Sequence, residues 1–583
     1  MIIEFTAVSH EPKYRDSYAI DAETFEIRIH TKKGDVDEAT LLFGDQFEMK
    51  DGEWVTETKP MHPAGSSELY DYWAVQVSIP SKRLRYGFIF ENEDGSWTYT
   101  EKGWADEPSG NAGDYFCFPF LNAVDMFTPP EWVKDTVWYQ IFPERFANGD
   151  PARDPKNTKP WRSEDPSTTN FFGGDLKGIK DNLDYLEKLG ITGIYFTPVF
   201  KAKSNHKYDT IDYFKLDPQF GTKEDLKSLV KACHKRGIRV MLDAVFNHSG
   251  YHFKPFQDVL KKGENSKYKD WFHIKDFPVK TEPPVNYDTF GFFPEMPKLN
   301  TENQEVKDYL LDAAVYWIRE CDIDGWRLDV ANEVDHAFWR EFRQRTREAK
   351  PDVYILGEIW HDAMPWLQGD QFDSVMNYPF TQAALNYGAR QDISARDFAQ
   401  AVVTITNLYP SSVNEVMFNL LGSHDTPRVL TEAGENTDRA MLLYVLLFMY
   451  PGTPCIYYGD EISMSGGPDP GCRACMVWDK EDQDRDMLHF IRTLIEMRRE
   501  HSAFGNNGQL YVDDIFDDED AVMFRKAANG EEIFFLLHAG EEDVPLNAST
   551  FNDRGEGEIL AEKNIDMDEG TLTLHGCSFV IWK

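Results

Sequence analysis

The chain has 583 residues, room for about four folding units at roughly 150 residues each, or fewer if one is a large barrel. Its 100 acidic residues against 61 Lys and Arg leave a formal charge of −39, a surface that repels polyphosphate and argues against nucleic acid or an anionic membrane as partner. With 41% hydrophobic and 14% aromatic residues the chain can fill several cores, which excludes an acidic disordered protein.

Between Met1 and Thr40 no basic start leads into an apolar run, and no stretch of about 18 apolar residues follows anywhere, so a soluble cytoplasmic protein is expected. The stretches Phe25 to His30, Trp73 to Ile79 and Tyr86 to Phe90 alternate apolar and polar residues between Gly, Asp, Glu and Pro. That pattern predicts an N-terminal β-sandwich over residues 1–122, and Phe118 to Pro130, with three prolines, reads as the linker that closes it.

From Thr136 to His501 strand-like apolar runs alternate with amphipathic helices, the mark of parallel strands joined by crossovers. The predicted strands are Val137 to Phe142, Gly193 to Phe200, Ile238 to Phe246, Gly325 to Val330, Val353 to Ile359, Ser374 to Tyr378, Val416 to Leu421 and Pro454 to Tyr458. Helices are predicted at Leu176 to Leu189, Lys223 to Arg236, Gln304 to Arg319, His336 to Lys350, Arg396 to Leu408, Thr437 to Met449 and Asp486 to Arg499. Eight such units fit a (β/α)₈ TIM barrel over residues 123–504, with 249–300, too long for an ordinary βα loop, as an inserted subdomain. Residues 505–583 return to short alternating strands and predict a C-terminal β-sandwich; the run Asp513 to Asp520 is locally acidic.

Seven cysteines without regular spacing read as reduced thiols, and Cys472 and Cys475, the one C-x-x-C pair, as an ordinary loop. Two Asn-x-Ser patterns, at Asn247 and Asn547, carry little force without an export signal.

In a TIM barrel the chemistry sits at the C-terminal ends of the strands. Here the third strand runs into Asp243 and His248, the fourth carries Arg327 and Asp329, the fifth ends in Glu358, and the seventh leads to His424 and Asp425. Retaining hydrolysis of a glycosidic bond needs two carboxyls about 5 Å apart, one to attack the anomeric carbon and one to protonate the departing oxygen. Arg327, two residues before Asp329 on the same strand face, is expected to keep Asp329 ionised as the nucleophile. Glu358, between an apolar strand and Ile359-Trp360, is expected to be desolvated and protonated as the acid.

These segments resemble a known family. Asp243-Ala-Val-Phe-Asn-His248, Gly325-Trp-Arg-Leu-Asp329, Gly357-Glu-Ile-Trp360 and Ser423-His-Asp425 look like the four signature regions of the alpha-amylase family of glycoside hydrolases, in their usual order. Met296-Pro-Lys-Leu-Asn300 and Val330-Ala-Asn-Glu-Val334 are similar to the neopullulanase, cyclomaltodextrinase and maltogenic amylase subgroup, which also carries an extra N-terminal β domain.

The resemblance implies a retaining α-glucan hydrolase acting on α-1,4 bonds of cyclodextrins, pullulan and maltooligosaccharides, with transglycosylation. Asp329 would be nucleophile, Glu358 acid and base, and Asp425 the third carboxylate; Arg327, His248 and His424 would hold the sugar, and Asp243 would support Arg327. Tyr208, in the motif His206-Lys-Tyr-Asp209, would stack under it, with His206 beside it. Asp469 and Arg473 would line the donor side, and Asn332, Glu333 and Trp360 the acceptor side. No cofactor is needed for the chemistry, but Asn148, Asp150, Asp154, Gly173 and Asp175 resemble a structural calcium site in which Arg153 stands where an oxygen donor would help. The subgroup also implies a homodimer formed through the N-terminal domain. The alternatives are a non-catalytic glucan-binding barrel, a cyclodextrin-forming glucanotransferase, and a metallohydrolase, which the lack of a tight ligand spacing disfavours.

Overall fold

A computed structural model describes residues 3–547, 557–568 and 570–583; Ala548 and Ser549 of the second Asn-x-Ser pattern lie outside them. The centre is a parallel eight-stranded barrel: β1 Trp138–Ile141, β2 Gly193–Phe196, β3 Arg239–Ala244, β4 Gly325–Leu328, β5 Tyr354–Gly357, β6 Ser374–Val375, β7 Phe418–Leu420 and β8 Thr453–Tyr457. The sheet runs in the order β6-β5-β4-β3-β2-β1-β8-β7, and a parallel bridge from Met376 to Phe418 closes it.

Each strand alternates between two apolar environments, which is why the runs read as continuously hydrophobic. Trp138, Tyr195, Met241, Tyr354, Leu356 and Phe418 fill the barrel interior. Their neighbours Tyr139, Ile194, Val240, Leu242 and Ile355 pack outward under the helices. Gly357 is small because a Cβ there would meet the Phe372 ring at 2.5 Å.

All eight predicted strands are present, but the predictions overran the ladders at the C-terminal ends. Apolar residues continue past the last rung: Phe142 lies beside His424, and Phe246 packs on Phe338 and Phe342 of the helix His336–Ala349. The predicted helix Leu176 to Leu189 breaks at Asn182 into Leu176–Asp181 and Leu183–Leu189. A helix at Tyr378–Gly388 went unpredicted, its first residues having been read as the end of β6.

The inserted segment after β3 holds one helix, Lys254–Lys262, and isolated bridges, among them His248 to Lys298, which ties it to the barrel rim. The N-terminal domain has two large antiparallel sheets and a short ribbon, Met49–Lys50 with Glu53–Trp54, and its main core includes Phe25, Ile27, Trp73, Tyr86 and Phe88. It docks on the barrel through Arg28, whose Nη1 donates to the Tyr409 carbonyl at 2.9 Å, and Tyr18, whose hydroxyl accepts from the Ser411 N–H at 2.9 Å.

In the C-terminal domain the strand Thr571–Trp582 pairs along one edge with Glu531–His538 and then Val544–Asn547, and along the other with Ile559–Asp568. One face of this sheet, with Phe524, Phe535 and Ile581, packs against the barrel helices. The other, with Met523, Leu536 and Trp582, makes its own core. The acidic run joins in the docking: Asp520 accepts from the Ala395 N–H at 2.6 Å. Cys472 and Cys475 are buried free thiols, and among the described residues no helix is long and apolar enough to cross a membrane.

Candidate active site

The inward positions at the tops of β3, β4 and β5 carry one connected charge cluster. Parallel register sets Asp243 beside Arg327, and the Asp329 N–H continues the β4 ladder onto Ala244 at 3.1 Å. The Arg327 guanidinium is fully buried. Its Nη1 donates to Asp329 Oδ1 at 2.7 Å and to both Asp243 oxygens at 3.1 and 3.2 Å. Its Nη2 lies 2.8 Å from Glu358 Oε1, an ion pair without hydrogen-bond alignment. The other Glu358 oxygen accepts from the Val330 N–H at 2.9 Å.

Two sequence expectations about this pair need correction. Arg327 does hold Asp329, but burial outweighs it, and Glu358 and Asp243 add like charge, so the Asp329 carboxyl sits well above the usual carboxylate range. Glu358 is not in an apolar pocket, because both its oxygens face donors. Ile359 turns into the core, and Trp360 points out to stack on Tyr378, ring centroids 3.5 Å apart and 8° from parallel. Desolvation likewise raises Asp243 to about 6 against the pull of Arg327.

A chain of neutral groups leads away from Asp243. It accepts from the Tyr195 hydroxyl at 2.6 Å and the Tyr208 hydroxyl at 3.0 Å. Tyr208 Oη lies 2.6 Å from His424 Nε2, and Gln140 Nε2 lies 2.7 Å from His424 Nδ1. With the Gln140 amide donating to Nδ1, His424 carries its proton on Nε2 and donates it in a hydrogen bond to the Tyr208 oxygen, whose own hydroxyl donates to Asp243. Burial, then Arg473 and Arg327, push His424 well below its ordinary range, so the ring is uncharged.

Asp425 stands exposed on the far side. Arg473 Nη2 donates to it at 3.1 Å, Nη1 lies 2.9 Å from Asp469, and Nε donates to the His424 carbonyl at 2.7 Å. His206 accepts at Nδ1 from the Tyr208 N–H at 3.1 Å, and burial lowers it to about 4. His248 is buried against Phe290, ring centroids 5.0 Å apart, and its Nε2 has no partner among the described residues. Burial, with Lys298 adding, lowers it to about 3.

On the opposite rim Asn332 and Glu333 are exposed on the one-turn helix Ala331–Glu333, and Trp360 is 53% exposed. The outer positions sit around the Arg327 cluster without touching it; among them Arg473 reaches Asp425 and also holds Asp469.

Residues 140–504 match the family described as alpha amylase, catalytic domain, and residues 1–122 match its N-terminal Ig-like domain. The chain belongs to the alpha-amylase family. A cyclomaltodextrinase of Geobacillus thermopakistaniensis (strain MAS1) is 57% identical over 93% of this chain and 92% of its own length. An intracellular maltogenic amylase of Bacillus subtilis (strain 168) is 49% identical over 92% of each. A solved cyclomaltodextrinase structure superposes with a TM-score of 0.91, at 46% identity, over 99% of this chain and 100% of that one. The protein is accordingly a glycoside hydrolase.

Several members of the site escaped the sequence reading. Gln140 on His424, Tyr195 on Asp243 and Phe290 on His248 are named above. Lys298 donates to Asn247 and to the Glu333 carbonyl at 2.9 Å, so it joins the inserted segment to the β4 loop. Gln140, a lone amide inside the apolar strand Trp138–Ile141, was the one legible signal.

The five residues expected to hold calcium lie in the loops after β1. Among the described residues no three His, Cys, Asp or Glu side chains form a ready metal cage. Asp175 is spent as a cap on the Gly149, Asp150 and Gly178 N–H groups, and Arg153 takes Asp150 at 2.9 Å and Asp225 at 3.3 Å. Yet Asn148 Oδ1 is buried and unpartnered, and the space a Cβ on Gly173 would enter lies 2.4 Å from both Asn148 and Asp154. Burial and the neighbouring Asp175 and Asp150 carboxylates raise Asp154. The Asn148 amide donates to both Asp154 oxygens at 2.9 and 3.1 Å, and with no cation on Asp154 among the described residues the unpartnered Asn148 Oδ1, the Asp154 carboxylate and Gly173 are the oxygen donors that would fit calcium.

The raised Asp329 implies a sign for stability. A carboxyl that holds its proton more tightly when folded stabilises the fold at low pH, and that stability is lost as pH rises from the ordinary carboxylate range toward the raised one. Asp329→Asn is therefore expected to melt above the parent at pH 7.5, by roughly 2 °C or more, and the gain should shrink toward pH 4. A pH-independent difference in scanning calorimetry would reject this.

Proposed function

We propose that the protein hydrolyses α-1,4-glucosidic bonds with retention, using Asp329 as nucleophile and Glu358 as acid and base. The observation that carries this is the single guanidinium of Arg327 holding the two carboxyls at 2.7 and 2.8 Å on the ends of adjacent strands. Asp329 attacks the anomeric carbon as the glycosidic bond breaks, and Glu358 gives its proton to the departing oxygen. Water then loses a proton to Glu358 and attacks the same carbon, releasing Asp329. Attack requires Asp329 ionised on Arg327 and the proton on Glu358.

The remaining groups suit a neutral sugar. His248, with its free Nε2, offers a hydrogen bond to a hydroxyl, and His424, uncharged and held between Gln140 and Tyr208, fixes the Tyr208 hydroxyl beside the sugar. Tyr208, its hydroxyl tied to Asp243 and His424, offers a ring face, and Asp425, steered by Arg473, accepts from hydroxyls and opposes the positive charge of the transition state. Arg473 and Asp469 lie toward the donor side. On the acceptor side Trp360 gives an exposed face, beside Asn332 and Glu333, on which a second sugar can displace water and be transglycosylated.

The names of the relatives, cyclomaltodextrinase, maltogenic amylase and a neopullulanase of Thermoactinomyces vulgaris, support cyclodextrins, maltooligosaccharides and pullulan as substrates. The intracellular B. subtilis relative and seven unpaired thiols support a cytoplasmic location.

Initial rates on β-cyclodextrin, pullulan, soluble starch and maltotriose should rank the small and cyclic glucans above starch. Asp329→Asn should cut turnover on all of them by at least about 10⁴-fold while leaving sugar binding intact. Near-normal activity of that variant on maltotriose would dismiss the assignment.

A structural calcium ion on Asn148, Asp154 and Gly173 should raise the melting temperature over that in chelator, and Arg153→Asn, which frees Asp150, should enlarge the rise. Identical melts with and without calcium would remove the ion.

The homodimer is proposed through the N-terminal domain, whose exposed Phe47, Met49 and Phe120 offer an apolar surface. Sedimentation should give about twice the 67.4 kDa chain mass, and a monomer at working concentration counts against it.

A further inference from the structure

Val330, the residue after the nucleophile, has φ 47° and ψ 44°, the left-handed region. Among the described residues it is the one β-branched side chain with a positive φ; the others at such positions are glycines or unbranched residues such as Asp322 and Asn529. A valine rarely takes this conformation, because its branched Cβ crowds the backbone, and strain of this kind persists where the surroundings over-determine it. Here they do. The Asp329 N–H is locked to Ala244 by the β4 ladder, and the Val330 carbonyl accepts from the Glu333 N–H at 3.1 Å as the next turn starts. Between these two anchors the peptide plane is turned so that the Val330 N–H meets Glu358 Oε2 at 2.9 Å.

We propose that Val330 is a positioning residue for the acid and base: its left-handed turn aims a backbone N–H that fixes the Glu358 carboxyl relative to Asp329. Arg327 and Val330 flank the nucleophile in sequence and each takes one Glu358 oxygen, so the segment Arg327 to Val330 sets both carboxyls at once. A side-chain donor could rotate, whereas this N–H is fixed by the barrel ladder itself.

The inference rests on Glu358 being the acid and base, and the two can be separated. Val330 is replaced by its α-hydroxy acid, which exchanges the N–H for an ester oxygen and keeps the side chain. Turnover is compared on maltotriose, whose leaving alcohol needs a proton, and α-maltosyl fluoride, whose fluoride departs without one. The ester enzyme should lose about 10²-fold on maltotriose, within the 10²–10⁴ that positioned acid–base catalysis supplies, and under about 3-fold on the fluoride. Val330→Gly keeps the N–H in a residue at ease with this φ, and should stay within about 3-fold of the parent on both. Equal loss on the two substrates in the ester enzyme, unchanged maltotriose turnover there, or the same split in Val330→Gly would each overturn the proposal. A glycosyl ester on Asp329, seen by mass spectrometry of Glu358→Gln quenched after α-maltosyl fluoride, tests the underlying assignment. Its absence would sink that assignment whatever the ester enzyme does.

Discussion

The site depends on one guanidinium buried among three carboxylates. Arg327 is the sole cation in contact with Asp243, Asp329 and Glu358 among the described residues, so the cluster is short of positive charge when all three are ionised. Such an arrangement is costly in a low-dielectric interior, and the raised Asp243 and Asp329 are the measure of it. It persists because the barrel leaves the charges nowhere to go. Asp243 and Arg327 sit side by side in register, above a layer of Met241, Tyr354 and Leu356 that excludes water from below. The strain and the charge imbalance belong to the function, and the large apolar shell outside the strands supplies the stability that tolerates them.

Distribution of roles follows from that imbalance. Every further group touching the cluster is a neutral donor: the Tyr195 and Tyr208 hydroxyls on Asp243, and the Val330 N–H on Glu358. Neutral donors stabilise negative charge without cancelling it, so Arg327 remains the one positive charge that the carboxylates share. A second cation, Arg473, is kept apart on Asp425 and Asp469, where it orients the exposed Asp425 carboxylate. The overall charge of −39 plays no part in this. A glucan is uncharged, and the local pairing of Arg327 and Arg473 determines the chemistry.

Much of this was legible in the sequence because a parallel barrel writes itself twice. Strands buried on both faces give continuous apolar runs, and the first polar residue after each run marks the rim, which is how Asp243, Asp329, Glu358 and Asp425 could be found together. Strand ends were less legible. Phe142 and Phe246, beyond the ladder, are as apolar as the residues within it, and nothing local distinguishes packing against a helix or loop from pairing in a sheet. The helix at Tyr378–Gly388 was hidden for the same reason: the residues Val375, Met376 and Tyr378 leading into it carry the run past the end of β6. The ionisation environment was the least legible. Sequence neighbours placed Ile359 and Trp360 around Glu358, whereas its real neighbours are an arginine thirty-one residues earlier and a backbone N–H.

That last failure points to a general feature of the site. Side-chain identity can be read from a sequence, but a backbone donor is present at every residue except proline, and only conformation makes one of them special. Val330 does not look like a polar group, and its type argues for a strand rather than a left-handed turn. The fold overrides that preference because Asp329 must finish the β4 ladder and Ala331 must begin a turn, and one residue is left in which to change direction. The peptide plane that results faces β5, whose own ladder brings the Glu358 N–H to the Leu328 carbonyl at 3.0 Å. Two adjacent strands therefore fix the distance between Asp329 and Glu358 through main-chain bonds on both sides, and the aromatic and loop residues around them can differ without moving the pair.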